Sequence, residues 1–193
     1  MTHKDLIEPA YKWVLNSGKC GVAFKEFKTA NCAAEEPDVI GFRGGGHSVL
    51  IECKASRSDF LADKKKRFRV YPELGMGSQR YFCCPSGMIR VEELPRPWGL
   101  IYVDSAFRCR RIIKAGRVEQ KNLKAEHEVM YSALRRLHIR NRIPEVYMGL
   151  PEKESEDMKC HNRHDAKDRS AGIQERKRIE ASPLFNGVEN ERL

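Results

Sequence analysis

The amino-acid sequence predicts an α/β fold in which helices flank a mixed central β-sheet. Short segments with alternating apolar residues, which are typical of strands, recur between residues 21 and 116. Segments in which apolar residues follow a helical spacing stand before, between and after them. The resulting order is helix, strand, hairpin, helix, strand, strand, helix, which is typical of one domain built around a mixed sheet.

The composition of the chain changes after Pro151. The patterns typical of helices and strands lie before this residue, whereas residues 151–193 are polar and contain few large apolar side chains. Such a segment buries too little apolar surface to offset the entropy lost when a chain becomes ordered. We therefore expect a folded domain over residues 1–150 and a polar tail, disordered or weakly helical, over residues 151–193.

The first two elements are a helix and a strand. Apolar side chains fall on one helical face over residues 3–17, and Gly18 is a typical stop signal for a helix. Residues 21–28 alternate in the manner of a strand, which would place Phe24 and Glu26 on the same face.

A hairpin is predicted next. Residues 38–42 and 49–54 read as strands, and the glycine run 44–46 between them suits a tight reversal. A hairpin centred on Gly45 pairs residues whose numbers add to 90. Asp38 then lies opposite Glu52.

The pairing of two carboxylates needs a physical reason. Like charges placed directly opposite each other destabilise a sheet. A divalent cation between them removes the repulsion, and Mg²⁺ prefers carboxylate oxygens and water. Because strand side chains alternate, Glu52 and Lys54 share one face, on the end of an apolar strand. The sequence therefore predicts a metal site that contains Asp38 and Glu52.

The segment after the hairpin alternates between helix and strand signals. A helix is predicted over residues 58–68, with Ser58 as its N-cap. Two apolar strands are predicted over residues 80–85 and 98–104, and an edge strand over residues 108–116.

The longest helical pattern covers residues 119–142. We expect its apolar stripe to pack on the sheet, and pairing of two subunits into a homodimer is the alternative. The stripe contains Leu123, His127, Met130, Leu134 and Leu137.

Charge and cysteine content narrow the class of protein. The formal net charge is +9, yet residues 151–193 carry nine basic and ten acidic residues, so the positive excess lies in the first 150 residues. A basic domain indicates a partner that bears phosphates.

No apolar run approaches the roughly 18–20 residues that span a membrane, and we see no secretory signal. Seven cysteines without paired spacing favour a reducing cytosol.

One motif carries most of the functional argument. Pro37-Asp38, thirteen intervening residues and Glu52-Cys53-Lys54 form a pattern that resembles the PD-(D/E)XK nuclease superfamily. Residues 20–104 also resemble its MmcB-type branch, which is associated with DNA repair. The further matching residues are Ser56, Asp59-Phe60, Asp63-Lys64-Lys65 and Tyr81-Phe82.

The resemblance implies a restriction-endonuclease-like core and a metal-dependent DNA nuclease. The cofactor would be Mg²⁺ or Mn²⁺, held by Asp38, Glu52 and the backbone carbonyl of Cys53. Lys54 would position water or offset the charge that develops on the phosphate. An acidic residue from the first strand or helix often joins such sites, and we favour Glu26 over Glu8.

The expected partner is DNA, in the cytoplasm of a bacterial or phage-infected cell. Repair, recombination and phage DNA processing are the expected contexts. The alternative is an accessory protein that binds DNA on the same fold and cuts slowly or not at all. A protein partner could dock through the tail. The basic residues expected to contact DNA are Lys64, Lys65, Lys66, Arg67, Arg69 and Arg80.

Overall fold

The computed structural model describes residues 1–29, 35–140 and 142. The helices are α1 (His3–Asn16), α2 (Arg57–Asp63), α3 (Arg67–Val70) and α4 (Leu123–Ile139). The strands are β1 (Val22–Lys25), β2 (Val39–Arg43), β3 (His47–Cys53), β4 (Gln79–Pro85), β5 (Gly99–Val103) and β6 (Cys109–Ile113). Short 3-10 turns cover Pro72–Leu74 and Val91–Glu93.

The six strands form one sheet in the order in which they occur along the chain. The central strands β3, β4 and β5 are parallel, and the remaining neighbours pair antiparallel. The prediction of an α/β fold with a mixed sheet flanked by helices is confirmed. The carboxyl ends of β3, β4 and β5 lie at one end of the sheet, where side chains that follow these strands can meet.

Each face of the sheet carries its own apolar core. Helix α1 covers one face, where Trp13 and Val14 pack with inward residues of β3 and β4 such as Ile51 and Tyr81. Helices α2 and α4 cover the other face through Phe60 and Val129, with Leu50 and Phe82 on the strands. Leu50 and Ile51 thus point to opposite faces, as the alternation of β3 predicted.

The compact unit runs from Met1 to Arg136. The second unit, Leu137–Leu193, lies outside the described residues except for the end of α4, residue 140 and Arg142. The boundary predicted after residue 150, the polar tail and a partner bound through it therefore remain predictions. In the part of the chain that the structure describes, no helix is long and apolar enough to cross a membrane.

The predicted burial of the apolar stripe on α4 is wrong. Leu123, Met130, Leu134 and Leu137 are exposed. The face that packs on the sheet instead contains smaller and polar residues, namely Ala125, Glu126, Val129 and Ser132. Pairing of two copies through the exposed stripe stays a prediction.

A buried polar network fixes α4 to the sheet. The Glu126 carboxylate accepts hydrogen bonds from the Ser48 hydroxyl at 2.6 Å and from the Gly77 N–H at 2.9 Å. The ammonium group of Lys121 lies 2.7 Å from Glu126 and donates to Ser48 at 2.8 Å. Because a buried charge is costly unless it is paired and hydrogen-bonded, the inward position of Glu126 depends on these partners.

Candidate functional site

The hairpin of β2 and β3 has the register that the sequence predicted. Val39 pairs with Ile51, so the next position outward sets Asp38 beside Glu52. Gly45 and Gly46 turn the chain with φ of 72° and 73°, a conformation that glycine adopts without steric cost. The Asp38 carboxylate also accepts a hydrogen bond from the Cys53 N–H at 2.7 Å. This bond holds the Asp38 side chain at the end of β3.

The environment of Asp38 disfavours its ionised form. Burial and the charge of Glu52 raise the pKa of Asp38 to about 6, although Cys53, His3 and Lys54 act in the opposite direction. His3, at the start of α1, approaches Asp38 Oδ1 to 3.3 Å through its Nε2. The two acidic groups therefore interact electrostatically, as their opposed positions in the sheet predicted.

Three positively charged side chains surround the carboxylate of Glu52. Its side chain is buried, and three basic groups approach the same oxygen, Oε2. Lys54 Nζ lies at 3.3 Å, Lys66 Nζ at 3.4 Å and Arg69 Nη2 at 3.4 Å. These groups offset the cost of burying the carboxylate.

Asp63, at the end of α2, forms ion pairs with the same three basic residues. It lies 2.9 Å from Lys54, 3.1 Å from Lys66 and 2.6 Å from Arg69. Burial opposes ionisation of Asp63, but Arg69 and Lys54 outweigh it and lower its pKa. Burial likewise disfavours the charged form of Lys54, yet Glu52 and Asp63 raise the pKa of this lysine. Lys54 is therefore a fixed, charged ammonium within the site.

The predicted helix over residues 58–68 is broken. Helix α2 begins one residue earlier, after Ser56, whose hydroxyl accepts from the Asp59 N–H, so Ser58 is not the N-cap. The helix ends at Asp63, and Lys66 has an extended backbone before α3. This break turns Lys66 and Arg69 back toward Glu52.

Two of the expected DNA contacts need correction. The Arg69 side chain is 6 % exposed; it lies 2.6 Å from Glu35 and stacks on Trp98, with its guanidinium carbon 4.4 Å from the ring centroid. Arg80 is 1 % exposed and donates to the carbonyls of four residues. Both guanidinium groups are held by the protein itself. The four carbonyls belong to Pro72, Gly75, Met76 and Gly77.

The other expected DNA contacts lie at the surface. Lys64, Lys65, Lys66 and Arg67 are exposed, on the segment that joins α2 to α3. Lys66 reaches Glu52 from that segment, with its Nζ 3.4 Å from Oε2, so one end of this exposed basic segment adjoins the site.

The two acidic residues considered as a third site carboxylate lie at the surface. Strand β1 ends at Lys25, and Glu26 follows it with a positive φ of 46° and an exposed side chain. Its N–H donates to the carbonyl of Asp38 at 2.8 Å, which brings its backbone close to the site. Glu8 faces outward on α1 and pairs with Lys25.

Sequence reasoning missed His3 and Glu35. His3 gives no local signal, because only the packing of α1 brings it to Asp38. Glu35 is buried, and it binds Arg69 and the Met76 N–H, the latter at 2.9 Å. Burial raises the pKa of Glu35, and the opposing charge of Arg69 offsets this effect only in part. The acidic run Glu35-Glu36 immediately before Pro37 was the available signal.

The donor atoms at the end of the hairpin are oxygens. Asp38 and Glu52 supply two carboxylates, and the Cys53 carbonyl is the third candidate ligand. Mg²⁺ commonly keeps several waters and needs only one or two protein carboxylates, so this donor set fits it. Among residues 1–29, 35–140 and 142, no group of three or more His, Cys, Asp and Glu side chains is arranged to hold a metal ion. Any metal would therefore be held mainly by two side chains and water.

Comparison with known proteins supports the fold alone. No family model matches the chain, and no curated protein matches it. A solved structure of similar fold is that of SPO1766, a protein of unknown function from Silicibacter pomeroyi, with a TM-score of 0.54 and 21 % identity. The alignment covers 78 % of this chain and 96 % of that chain.

Proposed function

We propose that this protein is a metal-dependent DNA nuclease with a restriction-endonuclease-like core of the PD-(D/E)XK type. It would hydrolyse phosphodiester bonds during repair, recombination or phage DNA processing in the cytoplasm. The observation that carries the proposal is the carboxylate pair Asp38 and Glu52, set side by side by the hairpin, with the buried ammonium of Lys54 3.3 Å from Glu52.

Asp38, Glu52 and the Cys53 carbonyl are the proposed ligands of Mg²⁺ or Mn²⁺. Such an ion, when bound, lowers the pKa of a bound water and offsets charge on the phosphate. Burial, and after it the charge of Glu52, raise the pKa of Asp38, and a nearby cation would oppose both effects by favouring the ionised carboxylate, which supports this assignment.

The chain's own groups have separate roles. Asp63 and Glu52 hold the Lys54 ammonium between them, at 2.9 Å and 3.3 Å, so that it does not need to reorganise when charge develops on a phosphate. The Cys53 N–H orients Asp38. Glu26 is proposed to join the acidic group, because its backbone adjoins Asp38. The exposed residues of the α2–α3 segment would bind the DNA backbone.

Cleavage assays test this proposal directly. Wild type, Asp38→Asn and Lys54→Met are incubated with supercoiled, linear and branched DNA in Mg²⁺, Mn²⁺ or EDTA. We expect metal-dependent cutting by the wild type and a loss of about 100-fold or more in each variant, since general acid–base or charge-stabilising groups contribute on this order. Lys114→Met, which changes an exposed lysine after β6, is the matched control and should cut normally.

One observation favours the alternative of an accessory protein that binds DNA and cuts slowly or not at all. Oε2 of Glu52 already faces three basic groups, which compete with a metal ion for this oxygen. Salt-sensitive DNA binding by all four proteins, without cutting of any substrate, would establish this alternative instead of the nuclease.

A further inference from the structure

The three basic groups around Glu52 differ in their access to solvent. The side chains of Lys54 and Arg69 are 3 % and 6 % exposed, whereas that of Lys66 is 46 % exposed. Lys54 and Arg69 are enclosed by packing and by further ion pairs. Lys66 is the member of this group that can leave Glu52 without opening the core.

The backbone around Lys66 also permits this movement. Lys66 lies between α2 and α3, with an extended φ of −63° and ψ of 141°. Its own N–H donates to the Asp63 carbonyl at 3.0 Å, which fixes the backbone while the side chain stays half exposed. Lys64, Lys65 and Arg67 are exposed on either side of it. A phosphate drawn to this segment would therefore lie within reach of the Lys66 ammonium.

We propose that Lys66 couples DNA binding to metal binding. This inference rests on the proposed function. In the free protein, the Lys66 ammonium stands 3.4 Å from Glu52 Oε2 and 3.1 Å from Asp63 Oδ1, where its charge opposes the approach of a divalent cation. A DNA phosphate draws the ammonium away and removes one of the three positive charges that compete with a metal ion for Glu52 Oε2. Binding linkage is reciprocal, so DNA strengthens metal binding and the metal strengthens DNA binding by the same factor.

Metal binding without turnover tests the coupling. Free Mn²⁺ is measured by electron paramagnetic resonance during titration of wild type, Lys66→Met and the control Lys114→Met, which changes an exposed lysine after β6, first without DNA. We expect Lys66→Met to bind Mn²⁺ about tenfold more tightly than wild type, and Lys114→Met to match wild type. Circular dichroism and thermal melting verify that each variant is folded, and Lys66→Gln provides a second, polar replacement.

The titration is then repeated with a short phosphorothioate duplex, with the duplex alone as background. DNA should increase the Mn²⁺ affinity of wild type and of Lys114→Met, and leave that of Lys66→Met and Lys66→Gln nearly unchanged. Equal Mn²⁺ affinity of Lys66→Met and wild type without DNA would overturn the coupling. Failure of the nuclease proposal is seen separately, as an absence of metal-dependent cutting by the wild type, because the Mn²⁺ titration requires no cleavage.

Discussion

Asp38 illustrates how a single residue can lower the stability of the fold. Its raised pKa, about 6 against an ordinary 3.8, means that the folded protein binds this proton more tightly than the unfolded chain. The contribution of Asp38 to stability is therefore most favourable below pH 4 and declines as the pH rises through 6. A residue that weakens the metal-free protein at neutral pH is typical of a site shaped for a ligand.

We predict that Asp38→Asn stabilises the metal-free protein at pH 8 by about 2–3 kcal/mol, which corresponds to the shift of roughly two pKa units. The gain should shrink toward zero as the pH falls below 4, where the wild-type carboxyl becomes protonated in both the folded and the unfolded state. Urea denaturation in EDTA from acidic pH to pH 8 measures the difference. An advantage of the variant that does not change with pH would contradict this explanation.

Arg80 has a structural role, although its charge suggested contact with DNA. Its guanidinium donates to carbonyls on both sides of Gly75, within the loop that leads into β4. We predict that Arg80→Met lowers the free energy of unfolding by about 3 kcal/mol, because buried carbonyls lose a charged donor. Chemical denaturation measures the loss. DNA affinity of the folded variant, measured by fluorescence anisotropy, should equal that of wild type, and a fall would restore Arg80 to the binding surface.

At the scale of elements, the β2–β3 hairpin was predictable because its signals are local. The two-residue alternation fixed the faces, and the glycine run fixed the register that pairs Val39 with Ile51. The break after α2 was not predictable, because residues 64–68 contain no glycine or proline, and the partners of Arg69 beyond the break, Glu35 and Glu52, lie far away in the sequence. A local pattern of basic residues likewise does not show which of them fold inward, as Arg69 does.

Helix α4 shows a different limit of sequence reasoning. The spacing of apolar residues predicted a helix there, but not which face meets the sheet. The buried face carries Glu126, whose partners Ser48 and Gly77 lie far away in the sequence. Only the folded protein supplies these partners, so the polar side of α4 resembles a solvent-facing side when the sequence is read alone.

The Lys121–Glu126 pair should therefore stabilise the attachment of α4. We predict that Lys121→Met lowers the free energy of unfolding by about 3 kcal/mol, since it leaves a buried carboxylate with one fewer partner. Combining it with Glu126→Gln should recover part of this loss, because the variant glutamine is neutral. A double-mutant cycle in urea measures the coupling. Additive losses would show that the two side chains act independently.

At the scale of the whole molecule, the net charge of +9 should govern DNA binding. We predict that replacing Lys64, Lys65 and Arg67 together by Gln reduces the slope of log K against log salt concentration by about three, at roughly 0.9 per phosphate contact. Anisotropy titrations at several salt concentrations measure this slope. The matched control replaces Arg110, Arg111 and Lys114, which are also exposed. An equal reduction in the control would show that the basic charge acts without a defined surface.

The sequential order of the strands affects how the sheet can form while the chain is being synthesised. Since each strand pairs with its predecessor, from β1 to β6, the growing sheet adds strands at one edge and never has to open to admit a later one. The hairpin with Asp38 and Glu52 leaves the ribosome before Lys66 and Arg69, so the acidic pair emerges before two of the three basic groups that face Glu52. While β5 is the last strand formed, the open edge of the sheet is apolar. Strand β6 then covers this edge and carries the exposed Arg110 and Arg111. Charged side chains on an edge strand discourage pairing with another chain, so β6 protects this edge of the sheet from aggregation.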